Sequence, residues 1–288
     1  IDSPLSRAAA FLANNVLFAV FAFVVLLGTV FPLIIEALQN RQIAVGAPFF
    51  DKLSMPIGLA LLTLMAIAPV LPWRKASTET LRERLFWPAW CGVAALVASL
   101  LLGAYGLAPL LTFTLGGVSA GAALRQVVLA TRRQGWRGLV GRANGGMIVH
   151  LGVILIAVAL GASNSFSKSQ ELSLVANVEA NFSGHTFELK DVVEVRDDRS
   201  ISVKALVLVD GKKIYAPAIT KYTRIGMNVG TPSVRTSLTT DIYLTLEPPV
   251  RQDSNEARIK VFIKPMIIWL WIGTALMAIG TVLAAFPG

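Results

Sequence analysis

The segment Gly141–Gly161 has the sequence "GRANGGMIVHLGVILIAVALG". After Arg142 it contains no charged side chain, and this uncharged run continues to residue 167. A helix of about 20 mostly apolar residues spans the hydrocarbon core of a bilayer. A run of this length and composition therefore predicts a transmembrane helix, and it places one of the two histidines of the chain, His150, inside that helix.

Four further runs in the chain contain no Asp, Glu, Lys or Arg, at residues 8–35, 53–73, 85–124 and 265–288. The longest is sufficient for two spans, and Gly103, Gly106 and Pro109 near its middle favour a turn between them. Only 15% of the residues are charged, against about 25% in soluble domains, which disfavours a large soluble core. We therefore predict an integral membrane α-helical bundle of about six transmembrane helices. They are placed at residues 11–37, 53–72, 86–104, 108–130, 144–163 and 266–286.

Lysine and arginine in the short loops predict the orientation of the helices, because cytoplasmic loops carry an excess of both. The loop after the second helix contains Arg74, Lys75, Arg82 and Arg84. The segment that joins the fourth and fifth helices contains Arg125, Arg132, Arg133, Arg137 and Arg142. Both segments fall on the same side of the bundle. We predict that this side is cytoplasmic, that both ends of the chain are cytoplasmic, and that residues 165–264 lie outside.

These patterns predict a multi-pass membrane protein, and in a Gram-negative cell residues 165–264 would lie in the periplasm. The formal net charge of +9 comes largely from the two arginine-rich segments. It is explained by the orientation and by contact with the anionic headgroups of the lipid bilayer. The sequence contains no nucleic-acid-binding motif, and we predict no nucleic-acid partner.

The segment 165–264 is predicted to form a small β-rich domain inserted before the last helix. Its short stretches rich in Val, Ile, Tyr and Thr, separated by turn signals such as Asp210-Gly211, favour a barrel or a sandwich. They occupy residues 171–180, 185–195, 201–210, 212–222, 241–248 and 257–265. The one cysteine, Cys91, lies in the third helix, where we expect it to be buried, so neither a disulfide within this domain nor a C-x-x-C motif is possible. The predicted organisation is five transmembrane helices with short loops in 1–164, the domain in 165–264 and the C-terminal helix in 265–288.

His150 lies six residues beyond Asn144, or roughly 9 Å further along the fifth helix at 1.5 Å per residue. An ionisable side chain inside the hydrocarbon layer is costly and indicates a function. Three interpretations remain open: a neutral histidine bonded to a neighbouring helix, a proton relay, and a ligand of a metal or of haem. The nearby spans contain no acid, which weakens the relay. Gly146, on the same helical face, would permit close approach of a flat ligand, although glycine also serves helix packing.

Five stretches of the chain resemble stretches of a known protein family. In order, they are "NNVLFAVFAFVVLLGTVFPLI", "VGAPFFDK", "GRANGGMIVHLGV", "TSLTTDIYLTL" and "KPMIIWLWIGTALMAIG". Together they resemble the C-terminal half of members of the CcmF/NrfE haem lyase family of cytochrome c maturation, and the resemblance covers essentially the whole chain.

The resemblance implies that haem is attached covalently to apocytochrome c on the periplasmic side of the inner membrane. It implies three partners: the haem chaperone CcmE, thioreduction proteins of the CcmH/CcmI type, and apocytochrome c itself. It also implies a non-covalent haem b within the membrane, in addition to the transferred haem that is the substrate. The histidine of "GGMIVHLG", His150, would be one axial ligand of the haem b iron.

The family's tryptophan-rich WWD segment, its periplasmic haem-binding histidines and its second b-haem ligand do not occur in this sequence. They belong to the N-terminal half of a full-length member. The chain begins with Ile1. We therefore expect it to be the C-terminal part of a larger polypeptide or a split subunit. Its partner would be the N-terminal half of the same protein, and the chain alone would not be an active cytochrome c synthetase.

Some residues carry two interpretations. Arg142 is a candidate partner for a haem propionate, since arginine suits carboxylates, or it is simply a cytoplasmic charge. His185 is expected to be an exposed turn residue rather than a haem ligand. Trp269 and Trp271 are expected in the aromatic belt at the membrane boundary, with a contact to haem as the alternative.

The alternative function belongs to a different class, a non-redox transporter or membrane scaffold whose periplasmic β domain docks partners. Transporters are often built from internal repeats and broken helices. The sequence shows no convincing repeat, and its prominent intramembrane ionisable side chain is a single histidine. Visible haem absorption by the purified protein would distinguish the two functions.

Overall fold

The computed structural model describes residues 6–71, 78–223, 226–248 and 255–286. Within these ranges, six helices are long and apolar enough to cross a membrane. A β-rich segment precedes the last of them. The predicted fold class, a six-helix membrane protein with a β-rich insertion before the last helix, is confirmed.

The helices, in chain order, are α1 (Arg7–Gln39), α2 (Ala47–Ile67), α3 (Thr78–Leu101), α4 (Leu107–Gln134), α5 (Arg142–Phe166) and α6 (Ile268–Ala285). The turn between α3 and α4 contains Gly103 at φ 83° and Gly106 at φ 95°, a backbone region that glycine enters without a steric penalty. The predicted break in this long apolar run is thus explained by its glycines. α2 begins at Ala47 rather than at residue 53, because Pro48 suits the first turn of a helix.

Glycines set the distance between α3 and α4. A Cβ atom added at Gly117 would lie 2.7 Å from the carbonyl oxygen of Cys91, and one added at Gly121 would lie 2.9 Å from Cα of Pro88. Such small residues let helix backbones approach closely in a membrane. Cys91 itself is exposed on the surface of the bundle, so the expectation that it is buried was wrong.

α5 and α6 pack through two glycines each. A Cβ atom added at Gly152 would lie 2.6 Å from the carbonyl oxygen of Gly273, and one added at Gly145 would lie 2.7 Å from that of Gly280. The two glycines of each helix are seven residues apart, so they lie on one face. This face of α5 is therefore occupied by α6.

The β-rich segment contains ten strands within its described residues. They are β1 (Lys168–Val175), β2 (Glu179–Phe182), β3 (His185–Asp197), β4 (Ser200–Val209), β5 (Lys213–Tyr215), β6 (Ala218–Tyr222), β7 (Asn228–Thr231), β8 (Ser233–Arg235), β9 (Thr240–Glu247) and β10 (Glu256–Pro265). One sheet has the order β1-β10-β9-β8, and the other has the order β2-β3-β4-β6-β7 with β5 beside β4. All the pairings within these sheets are antiparallel.

The core of the β-rich segment lies between the inner faces of the two sheets. Phe187 and Leu189 on β3 are fully buried, as are Ile259 and Val261 on β10. Their spacing of two follows from the alternation of side chains along a strand. This spacing explains why the apolar alternation predicted these strands correctly, whereas the exposed strand β7, which lacks the alternation, was missed.

The chain divides into two compact units. One unit is Ile1–Gly161 together with Ile272–Gly288, and the other is Ala162–Trp271. Both boundaries lie inside helices, because the end of α5 and the start of α6 belong to the β-rich unit.

Candidate functional site

A cavity of about 500 Å³ lies among α1, α2, α4 and α5 in the helical unit. This volume is within the range of about 300–1,000 Å³ found for small-molecule sites. Its wall is mostly apolar, with a few polar side chains. The lining residues are Arg7, Ala10, Phe11, Asn14, Phe18, Leu61, Leu64, Met65, Ala68, Pro69, Gln126, Asn144, Met147, His150 and Val153.

His150 is a lining residue of this cavity and is half-buried. Its Nδ1 atom is buried and has no hydrogen-bond partner among the residues that the structure describes. An unsatisfied buried polar atom costs about 1–3 kcal/mol. This nitrogen therefore makes no hydrogen bond to a neighbouring helix in the described part of the chain. Such a bond was one of the three interpretations of a histidine inside the membrane.

The cavity has a polar end. Arg7 at the start of α1 donates from Nη2 to the carbonyl oxygen of Pro69 at 3.0 Å. Gln126 on α4 donates to the same oxygen at 3.5 Å. Pro69 lies just beyond the end of α2, where backbone carbonyls lack partners within the helix. Asn144, near the start of α5, is also in the wall, so Arg7, the Pro69 carbonyl and Asn144 come from helix ends, whereas Gln126 lies within α4.

The described charge in the cavity wall is positive. Among the described residues that line the cavity, Arg7 is the one cation, and none is Asp or Glu. His150 lies roughly 9 Å beyond Asn144 along α5, at 1.5 Å per residue. The cavity is therefore amphipathic, with a cationic end near the first residues of α1 and α5 and an apolar part that contains the imidazole.

Gly146 differs from its neighbouring glycines. A Cβ atom added at Gly146 would meet no described atom within 4 Å, whereas Gly145 and Gly152 are packed against α6. Gly146 precedes His150 by four residues and so lies on the same helical face. Of these three glycines, Gly146 is thus the one beside open space, which is what the approach of a flat ligand requires.

Arg142 is the first residue of α5, and its side chain lies outside the described residues. Its pairing with a propionate stays a prediction. The structure instead brings Arg7 into the cavity wall, a residue that the sequence analysis had not singled out.

The tryptophans at the start of α6 differ from each other. Trp269 donates its ring N–H to the carbonyl oxygen of Leu238 at 2.8 Å, whereas the side chain of Trp271 is exposed. Trp269 therefore has a structural partner within the β-rich unit.

His185 is half-buried in the β-rich unit, so the prediction of an exposed turn residue was wrong. Its Nδ1 atom lies 3.0 Å from Oδ2 of Asp210, and Arg235 donates to the same carboxylate. The backbone N–H of Thr186 donates to Asp210 Oδ1 at 3.0 Å. Arg235 is on β8 in one sheet and the other members are on or beside strands of the second sheet, so the cluster ties the two sheets together.

The cluster changes the acidity of Asp210. Burial would raise its pKa, but the hydrogen bonds from Arg235, His185 and the Thr186 N–H lower the pKa to about 2. Asp241 shows the opposite behaviour, since burial raises its pKa despite hydrogen bonds from the Ser237 N–H and the Thr236 hydroxyl. The cluster therefore stabilises a charged carboxylate and uses His185 as a structural partner.

Among the described residues, no three His, Cys, Asp or Glu side chains come together as in a protein metal site. A haem iron is held differently, because the porphyrin supplies four nitrogen ligands and the protein supplies only axial ones. The cavity around His150 meets this smaller requirement with one imidazole, open space on its helical face and a cationic end.

The chain matches no protein-family model. Over 290 residues it is 30% identical to the cytochrome c-type biogenesis protein CcmF of Pseudomonas fluorescens, covering 97% of this chain and 44% of that protein. Over 287 residues it is 30% identical to the cytochrome c-type biogenesis protein ccl1 of Rhodobacter capsulatus, covering 96% and 43% respectively. A solved structure of the cytochrome c haem lyase CcmF matches with a TM-score of 0.78 at 26% identity, covering 99% of this chain and 46% of that one.

These similarities confirm the resemblance to CcmF that the sequence motifs indicate. They also support the prediction of a multi-pass membrane protein related to cytochrome c-type biogenesis proteins. The chain spans about half the length of the curated relatives it matches. It thus resembles one half of a CcmF-type protein.

Proposed function

We propose that this chain is the C-terminal part of a cytochrome c haem lyase. It binds a b-type haem within the membrane and helps to attach haem covalently to apocytochrome c in the periplasm. The observation that carries the proposal is the amphipathic cavity of the helical unit, in which His150 is a wall residue with an unsatisfied nitrogen. A helical bundle similar to a haem lyase thus contains a space whose chemistry suits haem.

His150 is the proposed axial ligand of the haem iron. A neutral imidazole avoids the cost of a buried charge, and one of its ring nitrogens would hold the iron through its lone pair. Gly146, four residues earlier on the same helical face, would leave room for a flat ligand, because a Cβ atom added there meets no described atom within 4 Å. Haem b, when bound, supplies reversible one-electron chemistry. The chain's own residues would bind and orient it, and the apolar wall would exclude water; the second axial ligand would come from the N-terminal half.

The proposed location is the bacterial inner membrane, with both chain ends in the cytoplasm. Residues 1–164 and 265–288 then form the membrane part, and residues 165–264 form the periplasmic domain. In this orientation the cationic end of the cavity is on the cytoplasmic side, because α1 and α5 begin there and α2 ends there. The orientation is supported by the arginines of the two loops.

The proposed partners follow the same orientation. The haem chaperone CcmE, apocytochrome c and thioreduction proteins of the CcmH/CcmI type would meet the periplasmic domain or the adjoining half of the protein. The transferred haem is a substrate and is distinct from the haem b of the cavity.

Replacement of His150 tests the proposal. His150→Ala, introduced into the full-length protein, should abolish or strongly reduce bound haem b, and cytochrome c maturation should fall with it. The measurement is the haem content and visible spectrum of the purified protein. His185→Ala is the control, because its ring is paired with Asp210 in the other unit. It should leave both measurements nearly unchanged.

Two results would contradict this assignment. An unaltered spectrum and haem content in His150→Ala would exclude the ligand role. A colourless wild-type protein would favour the alternative, a transporter or scaffold whose β domain docks partners.

A further inference from the structure

The β-rich unit contains the ends of two membrane helices, and these fix where the bilayer lies beside it. The unit, Ala162–Trp271, includes the last residues of α5 and the first residues of α6. Both helices are long and apolar enough to cross a membrane. α5 ends at Phe166 and α6 begins at Ile268, so the membrane boundary passes close to these two residues. We call the end of the unit that carries both residues the membrane-facing rim.

The register of one sheet places a loop at this rim. In the sheet β1-β10-β9-β8, Lys168 pairs with Ile263, Ile263 with Ile242, and Ile242 with Arg235. This row crosses all four strands next to the two helix ends. The chain continues beyond the row from Arg235 into residues 236–239, which we call the β8–β9 loop. The loop therefore lies on the membrane side of the sheet.

The β8–β9 loop is fastened to the start of α6. The N–H of Met266 donates to the carbonyl oxygen of Thr239 at 3.0 Å, and the ring N–H of Trp269 donates to that of Leu238 at 2.8 Å. Met266 has φ 60°, a conformation that is unfavourable for a residue with a side chain, so the bond to Thr239 helps to hold this junction. The loop thus reaches the depth of the second residue of α6.

Hydrogen bonds within the loop keep its shape. The hydroxyl of Ser237 donates to the carbonyl oxygen of Thr240 at 2.6 Å and accepts from the Thr240 N–H at 3.0 Å. An ordered loop loses little conformational entropy when it enters a new environment. It therefore presents its tip, Leu238, in a fixed direction.

The surroundings of Leu238 indicate what covers its side chain, which is 67% exposed. One exposed leucine on a soluble protein would need no explanation. Here the carbonyl of the same residue is bonded to the ring of Trp269, and tryptophan in a membrane helix lies at the level of the headgroups. Lys168 and Lys264 at the rim are exposed and suit the phosphates of anionic lipids. This combination of an apolar tip and flanking cations fits a lipid surface.

We propose that the β8–β9 loop enters the bilayer, with the side chain of Leu238 at the boundary between headgroups and acyl chains. An apolar group of this kind is buried roughly 5–10 Å into that boundary. Trp269 is the positioning residue that holds the loop at this depth. The two helix ends define an axis about which the β-rich unit could tilt on the membrane. The loop adds a third point of attachment and fixes that tilt.

The experiment measures the depth of the loop in the 288-residue chain. Cys91 is exposed and is first replaced by serine. Leu238→Cys then carries an environment-sensitive fluorophore, and it removes no core contact because this side chain is exposed. The protein is placed in nanodiscs of phosphatidylcholine and phosphatidylglycerol. A nitroxide on the acyl chain near the headgroup should quench the label strongly, and iodide in the water should quench it weakly.

Val178→Cys is the matched control. Val178 is also an apolar loop residue, 55% exposed, and its N–H donates to the carbonyl of Val175 at the far end of β1. Val175 is seven residues beyond Lys168, or roughly 24 Å at about 3.4 Å per residue. A label at this position should show the reverse pattern, with strong quenching by iodide and weak quenching by the lipid nitroxide.

Two tryptophan variants test how the loop is held. Trp269→Phe keeps an aromatic ring and removes the N–H that bonds Leu238. It should increase iodide quenching of the label at residue 238 and decrease lipid quenching, with no change at residue 178. Trp271→Phe is the control, because the side chain of Trp271 is exposed. It should leave both labels unchanged.

Three results would overturn the inference. If iodide quenched the labels at residues 238 and 178 equally, the loop would lie in water. If neither quencher reached residue 238, protein and not lipid would cover Leu238. If Trp269→Phe changed nothing at residue 238, the positioning role of Trp269 would be wrong. None of these measurements depends on haem, so the proposed function is tested separately by His150→Ala.

Discussion

The carboxylate of Asp210 should make the β-rich unit sensitive to acid. The buried residues of the hydrophobic cluster between the two sheets all come from strands, so the segment 167–266 is expected to fold as an isolated β-rich protein. Asp210→Asn keeps the shape of the side chain and removes its charge. The substitution therefore tests how much the charge contributes through Arg235 and His185.

The magnitude follows from the pKa of Asp210, which is lowered from 3.8 to about 2. A difference of about 1.8 corresponds to about 2.4 kcal/mol, since each tenfold change in acidity is about 1.36 kcal/mol. The side chain is 21% exposed, and solvent screening reduces the expected value to about 2 kcal/mol. Because the folded-state pKa is lowered, the stabilisation is fully present above about pH 4 and is lost as the pH falls towards 2.

Urea unfolding, followed by far-ultraviolet circular dichroism, gives the free energy of unfolding at each pH. At pH 7 the Asp210→Asn domain should be less stable than wild type by about 2 kcal/mol. The difference should shrink as the pH falls from 5 to 2, because protonation removes the same charge from wild type. Other carboxylates titrate in both proteins and cancel in the difference.

Glu171→Gln is the control for this prediction. Its carboxylate is 60% exposed and lies 3.9 Å from Lys260, so it should change stability by less than about 1 kcal/mol. A difference between wild type and Asp210→Asn that stays constant down to pH 2 would refute the reasoning. The effect of the substitution would then come from altered hydrogen bonding of the amide and not from the lost charge.

Two further predictions concern the helical unit and the orientation. Gly152→Leu should disrupt the packing of α5 on α6 and lower the yield of folded protein. Gly146→Leu should preserve the yield and reduce haem binding, because the leucine fills open space. If the two variants changed yield and haem binding equally, the distinction between the two glycines would be contradicted. Reporter fusions after Arg137 and near Asp210 should give cytoplasmic and periplasmic signals respectively, and the opposite result at both sites would contradict the orientation.

The ends of the helices were predicted less well than their number. Charge-free runs identify a membrane span because the bilayer excludes charges from its core along the whole length of the run. α3, by contrast, begins at Thr78, before the apolar run, and includes Arg82 and Glu83. Helix ends outside the hydrocarbon layer depend on capping and local contacts, which hydropathy does not report.

The strands β7 and β8 show the same limit in the β-rich unit. Both are short, and neither has the apolar alternation that a buried face imposes. Arg235 lies on β8, so the ion cluster with Asp210 could not be predicted, and His185 was mistaken for an exposed residue. The pairing of β8 with β9 brings this arginine to a carboxylate 25 residues earlier in the chain.

The sequence alone determined the class of the protein and its most informative histidine. A charge-free run predicts a membrane span from a short stretch of sequence. An ionisable residue within such a run is conspicuous, because placing it in the hydrocarbon layer costs free energy wherever the other helices lie. The tertiary structure alone decided that Arg7, Gln126 and His150 share one cavity. These residues are far apart in the chain and lie on three helices. Which helical faces meet depends on close packing between distant residues, as at Gly152 and Gly273, and hydropathy along one helix contains no information about it.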